Sequence, residues 1–152
     1  MINWMARVEK MVTSCKVMTL AVALKQGAWS SPVYYLYRHK AFYFFSSPDS
    51  RHIRISRQMP GRVGASIFED DPSFDDIKGV QMQGIIEPVK KNKQGLGAAG
   101  AYLKRFAISH DKVDAMTFIK VQYRASFYRF VPHTLVYMDN GVSMGFKKEL
   151  EI

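Results

Sequence analysis

A single cysteine, Cys15, is the whole thiol content of the chain, so no internal disulfide can form and a reducing compartment is expected. Cys15 stands beside Val17 and Met18 and reads as a small packed residue rather than a nucleophile. No G-x-S-x-G elbow accompanies it. The four histidines, His39, His52, His110 and His133, lack ligand-like spacing and have no cysteine pair nearby, so no metal site is expected. His110 and Asp111 read as a loop or a helix cap. Long apolar runs are missing as well: no stretch approaches membrane-spanning length. Met1 to Lys16 interrupts its apolar residues with Arg7, Glu9, Lys10 and Lys16, which leaves no apolar core for an export signal. The expected location is cytoplasmic.

Negative charge is in short supply. Thirteen Asp and Glu face 22 Lys and Arg, a net charge of +9 that favours an anionic ligand, phosphate being the commonest. Simple solubility would account for the same excess. The chain has no arginine-rich helix, zinc-finger spacing or ribonucleoprotein-type aromatic motif, so a basic nucleic-acid-binding module is an alternative without a recognisable fold behind it.

Aromatic residues are abundant. Ten Phe, eight Tyr and two Trp crowd into short alternating runs that suit half-buried strands better than a helical bundle. At 152 residues, with no linker, repeat or low-complexity tract, residues 1–152 read as one domain. Met5, Val8, Met11 and Val12 recur at helical spacing and predict an amphipathic helix that lids a barrel. Period-two alternation predicts strands over 17–24, 33–37, 41–45, 62–68, 79–89, 121–131 and 134–138. Helices are predicted around 51–59 and over 98–106, while 113–119 fits either state. Along 79–89, Gly79, Gln81 and Gln83 share one face, and Val80, Met82 and Ile86 the other, toward the core. The acidic loop 69–76 carries Pro72, and a basic tail follows the Asp139-Asn140-Gly141 turn.

The strongest chemical signal is the string Phe44-Phe45-Ser46-Ser47-Pro48-Asp49-Ser50-Arg51-His52, a strand, then a hydroxyl-rich turn, then a helix that opens with basic residues. Free N–H groups at a helix start, serine hydroxyls and a guanidinium together meet the needs of a phosphate ester. An ordinary Ser or Asp cap with solvated arginines fits the same letters. Arg57, nearly two helical turns beyond Arg51, is expected to lie outside the reach of such a site. Gly95-Leu96-Gly97-Ala98-Ala99-Gly100 matches the dinucleotide G-x-G-x-x-G pattern. Five polar residues separate it from the preceding strand, so it reads as a flexible helix start that contacts no phosphate.

Residues Thr19 to Val89, about half the chain, resemble the flavin-binding split-barrel proteins related to pyridoxamine 5′-phosphate oxidase, through "YFFSSPDSRHIR" and "KGVQMQGIIEPV". The resemblance implies a mainly β (α+β) antiparallel Greek-key split barrel with peripheral helices. It also implies a homodimer with flavin mononucleotide (FMN) at the subunit interface. The turn after the third strand would hold the flavin phosphate, which maps onto Phe45, Ser46, Ser47, Ser50, Arg51 and His52. His52 stands where the family has Lys. Gln81 would contact the flavin ring or be a solvated strand residue, and Tyr34 would wall the ring or pack, with one of Tyr34 and Tyr35 inside. Tyr35 falls about where the true oxidases carry a Lys, and their terminal Trp and Arg motif is replaced by Gly-Phe-Lys-Lys-Glu-Leu-Glu-Ile. A pyridoxamine phosphate substrate is therefore not expected. The activity implied is a flavin-dependent oxidoreductase of unspecified substrate; a non-enzymatic flavin or haem-type binder is the alternative.

Overall fold

The computed structural model describes residues 1–70, 73–109 and 113–152. Pro72 of the acidic loop and the pair His110 and Asp111 lie outside the described residues. The chain opens with helix α1 (Trp4–Ser14), capped by Asn3, whose Oδ1 accepts the Ala6 N–H at 3.0 Å. Strands β1 (Val17–Leu24) and β2 (Gly27–Tyr34) then form a hairpin, followed by the tight hairpin of β3 (Leu36–Arg38) and β4 (Ala41–Ser46). Helix α2 (Arg51–Gln58) leads to β5 (Val63–Glu69), a short 3₁₀ turn and β6 (Lys78–Pro88). Helices α3 (Lys93–Arg105) and α4 (Ala115–Tyr123), the long strand β7 (Ser126–Asp139) and β8 (Lys147–Leu150) complete the chain.

The strands make one antiparallel sheet in the order β2-β1-β5-β6-β7-β4-β3, with β8 on the far half of β7. It curls into a half-barrel with helices at its periphery, the α+β split barrel that the sequence implies. Alternation decides which residues go inside. Met18, Leu20 and Val22 of β1, Phe42 and Phe44 of β4, and Phe130 of β7 meet Val8, Met11 and Val12 of α1 and Ile53 of α2 in the inner core. The opposite face of β4 and β7 carries Tyr43 and Phe127, which pack under Ala98, Ala99, Tyr102 and Leu103 of α3 and Ile119 of α4. Strand β4 is thus buried on both faces, and this fixes where its C-terminal end emerges.

Several elements differ from the sequence expectation. The strand expected over 33–37 is divided: β2 runs from Gly27 to Tyr34, accommodating Pro32 because it lies at a sheet edge, and Leu36 and Tyr37 belong to β3 at the opposite edge. Helix α3 begins at Lys93 rather than Ala98, because the Asn92 side chain caps it by accepting the Gly95 N–H at 2.9 Å. The ambiguous segment is helix α4, started by Asp114, which accepts from both the Thr117 N–H (3.0 Å) and the Thr117 hydroxyl (2.7 Å). That helix takes in Val121 to Tyr123, which alternation had assigned to a strand. Strands 121–131 and 134–138 are instead parts of the single strand β7, which passes through Pro132. The register with β6 shifts between Gln83 and Gly84, and Pro132 sits opposite Gly84 at this bulge, where a missing N–H is tolerated. The basic tail is not loose, since Lys147 to Leu150 pairs with Leu135 to Met138.

Candidate functional site

At the end of β4 the side chain of Phe45 turns into the outer core, stacked on Phe127 at 4.3 Å and edge-on to Tyr102 at 5.0 Å. Only its backbone serves the loop that follows. Ser46 pairs with Ser126 of β7, and its hydroxyl points to the other side, where it shares hydrogen bonds with His52 Nε2 (2.8 Å) and the Ser50 hydroxyl (3.1 Å). Ser47 organises the turn: its Oγ accepts the Asp49 N–H at 3.2 Å and its carbonyl accepts the Ser50 N–H at 3.0 Å. Ser50 stands at the N-cap of α2, yet its hydroxyl caps no helix amide because it faces Ser46 and His52 instead. The amides of the first turn are therefore left for an external acceptor, at the positive end of the helix dipole. Ser46, Ser50 and His52 are joined by hydrogen bonds, Ser47 shapes the turn between them and Arg51 opens α2; this loop is the candidate phosphate cradle.

Two guanidiniums flank it. Arg51 is exposed and lies over the Trp29 ring at 4.2 Å, a cation–π contact that orients the charge while leaving its donors free. Trp29 is held in turn by its Nε1–H, which donates to Ser31 Oγ at 3.0 Å. Arg57 does not project away as helical distance predicts. It folds back so that Nη1 donates to the Pro48 carbonyl (3.3 Å) and Nη2 to the Tyr128 hydroxyl (3.2 Å). A long side chain spans the two turns that the backbone count treated as separation. His52 is buried, and desolvation lowers the pKa of its imidazole below the usual 6.5. At neutral pH it is thus an uncharged hydrogen-bond partner of Ser46.

Gln81 and Tyr34 are not part of this cradle. Tyr34 is exposed and packs edge-on to Phe106 at 5.4 Å, while Tyr35 is buried and donates its hydroxyl to the Val12 carbonyl at 2.5 Å. Gln81 is exposed on the outward face of β6, between Ser66 of β5 and Val136 of β7. Val136 and Ser126 lie near opposite ends of β7, so roughly 30 Å of strand separates the Gln81 level from the Ser46 level. The outward face around Gln81 is built of small and uncharged residues on β1 and β5, with charged side chains at its borders, among them Arg62 and Glu149. It carries Thr19 and Ala21 of β1 and Gly64 and Ser66 of β5, with the exposed Val17, Tyr34 and Phe68 at one end.

Sequence reasoning missed Trp29 and Tyr128, and misjudged Arg57. No local signal marks the first two, because they reach the loop from β2 and β7 through tertiary packing. Among the described residues no group of three or more His, Cys, Asp and Glu could hold a metal ion, and no helix is long and apolar enough to cross a membrane.

No family model matches the sequence, and no curated protein matches it. Solved structures do match. A FAD-binding protein of Mesorhizobium loti aligns at 22% identity over 86% of this chain and 90% of that one, with a TM-score of 0.64. The haem storage protein HutZ of Vibrio cholerae aligns at 14% identity over 88% and 94%, with a TM-score of 0.65. A pyridoxamine 5′-phosphate oxidase candidate of Listeria innocua aligns at 11% identity over 86% and 94%, with a TM-score of 0.63. The chain therefore has the pyridoxamine 5′-phosphate oxidase-like split-barrel fold. At these identities the likeness is one of fold, and the neighbours that share it include both flavin and haem proteins.

Proposed function

We propose that the protein binds flavin mononucleotide, with the flavin phosphate in the Ser46–Arg51 cradle, and that it acts as a flavin-dependent oxidoreductase in the cytoplasm. The observation that carries the reading is the start of α2, where the cap hydroxyl is turned away from the helix and the Arg51 guanidinium, without a carboxylate partner among the described residues, lies over the Trp29 ring. Nothing in this arrangement serves the helix itself. It does suit an ester phosphate, which takes N–H and O–H donors from several directions. The flavin-binding neighbours support the same ligand class.

When bound, the flavin supplies the capacity to carry a hydride or electrons. The chain's own residues do the rest. Ser46 and Ser50 offer hydroxyls, His52 fixes the Ser46 rotamer, and Arg51 balances the phosphate charge. Gln81, with its amide on the outward sheet face, hydrogen-bonds the ring edge, and Tyr34 walls it. Since Gln81 faces outward and the Ser46 hydroxyl lies on the inner side of the sheet, the ring contacts would come from a second copy of the chain, and the complete site would sit between two protomers. A pyridoxamine phosphate substrate does not fit this reading, because Tyr35, near the position of an oxidase Lys, is buried in the core.

Titration of the apoprotein with FMN and with riboflavin tests the assignment. A charge-assisted hydrogen bond to phosphate is worth about 1.5 to 3 kcal/mol, so Arg51→Ala should weaken FMN roughly ten- to a hundred-fold. Riboflavin, lacking the phosphate, should be bound almost as before. Lys104→Ala, an exposed cation on α3, is the control for general charge. Equal losses for both ligands in Arg51→Ala would refute the phosphate site, and a wild-type protein that binds neither flavin would refute the function.

A further inference from the structure

Arg57 occupies the last turn of α2, where a basic side chain is already favoured by the negative end of the helix dipole. A dipole role needs no particular partner, yet this guanidinium has two. Its Nη1 donates to the carbonyl of Pro48, in the middle of the 46–50 loop, and its Nη2 donates to the hydroxyl of Tyr128. Tyr128 is buried on β7, stacked with Phe44 at 5.9 Å, and stands two residues from Ser126, the strand partner of Ser46. The guanidinium thus ties the tip of the cradle loop to the same strand that pairs with the loop's base. Among the described residues only two of its five N–H donors are used, and no carboxylate pairs with it.

We infer that Arg57 is a second phosphate-recognition residue: it clasps the Ser46–Ser50 loop against β7 and keeps its remaining donors available to the phosphate. This rests on the flavin-phosphate reading above and deepens it. Arg51 is held by an aromatic face and adds charge, whereas Arg57 is held by two fixed acceptors and adds geometry. Lysine cannot replace it, since one ammonium lacks the planar fork that reaches both acceptors and a ligand together.

The experiment compares FMN and riboflavin affinities, by quenching of flavin fluorescence, in wild type, Arg57→Ala, Arg57→Lys, Tyr128→Phe and Arg51→Ala. Urea midpoints of the apoproteins monitor folding. Arg57→Ala should weaken FMN about ten- to a hundred-fold while changing riboflavin by less than about twofold. Arg57→Lys should stay at least about fivefold weaker than wild type for FMN. Tyr128→Phe, which removes one acceptor and leaves the ring packed, should weaken FMN roughly two- to tenfold and spare riboflavin. Should Arg57→Ala fail to fold, the last two variants decide by the same ratio of affinities. Parallel losses of FMN and riboflavin would make Arg57 a structural brace only and overturn the inference. So would unchanged FMN binding in Arg57→Ala with a large loss in Arg51→Ala, an outcome that leaves the cradle itself standing. If neither arginine alters the preference for FMN over riboflavin, the cradle assignment falls, and this inference with it.

Discussion

At the scale of single residues, His52 is the buried titratable side chain of the cradle. Burial lowers the pKa of its imidazole, so the folded protein holds it neutral where the unfolded chain would take up a proton. The sign follows from linkage. Its contribution to stability is complete above the unfolded value of 6.5 and is lost as pH falls from there through the depressed folded value. His52→Gln keeps a hydrogen-bonding group near Ser46 but does not titrate. Urea midpoints of the wild type should therefore decline as pH is lowered from 7 through 6.5, and the decline should be shallower in His52→Gln; identical pH profiles would show that His52 charges freely in the folded state. The contiguous members of the site were legible because one loop carries them: Ser46, Ser47, Ser50 and Arg51 follow a strand and open a helix within six residues. Trp29 and Tyr128 were not legible. Their contacts with Arg51 and Arg57 cross 22 and 71 positions of sequence, and nothing local marks a strand aromatic as a seat for a guanidinium.

At the scale of elements, the glycines of the G-x-G-x-x-G string lie inside α3 and have distinct surroundings. A Cβ on Gly95 would run into the Lys90 carbonyl, part of the backbone, whereas one on Gly100 would meet nothing within 4 Å. Gly95→Ala should destabilise by about 1 to 3 kcal/mol through that overlap. Gly100→Ala should stabilise by roughly 0.4 to 1 kcal/mol, because it removes a flexible residue from a helix interior. Thermal unfolding of the two variants should move in opposite directions, with FMN affinity unchanged in both; loss of flavin or nicotinamide nucleotide binding in either would restore a dinucleotide loop. Hydrophobic period found α1, β1, β4, α2, β5 and β6, but it merged the end of β2 with β3 in one strand over 33–37 and read β8 as a tail. It failed at Val121 to Tyr123, where apolar and polar residues alternate as in a strand, because the Asp114 cap had already committed the segment to helix α4. It also split β7 at Pro132, since a bulge that lets a strand absorb proline depends on the partner strand: Gly84, opposite Pro132, has no room for a side chain against Val131 and Pro132.

At the scale of the whole molecule, charge and apolar exposure are distributed in complementary ways. The chain carries +9 overall, yet the outward face of β1, β5 and β6 presents Thr19, Ala21, Gly64, Ser66, Gln81 and Gln83 without a charge among them. Val17, Tyr34 and Phe68, at the edge of this face, are 41%, 59% and 68% exposed. A partly apolar sheet face with an uncharged centre is expected to be covered, and the symmetric solution is a second copy of the same face. The proposed flavin site calls for the same arrangement, because Gln81 faces outward on β6 whereas the Ser46 hydroxyl lies on the inner side of the sheet, the side of Phe42 and Phe44. Two consequences can be measured together. Light scattering should give twice the chain mass of 17.4 kDa for the wild type. Ser66→Arg, placed between Thr19 and Gln81 at the centre of the face, would bury unpaired charge at the interface, which costs several kcal/mol. That variant should run as a folded monomer and lose at least about tenfold in FMN affinity, since 1.4 kcal/mol suffices for that factor. Its own cradle, on the other side of the sheet, would be untouched, so the loss would report the missing partner rather than local damage. A wild-type monomer that binds FMN at full strength, or a monomeric Ser66→Arg with unchanged affinity, would place both ends of the flavin within one chain and refute the interface site.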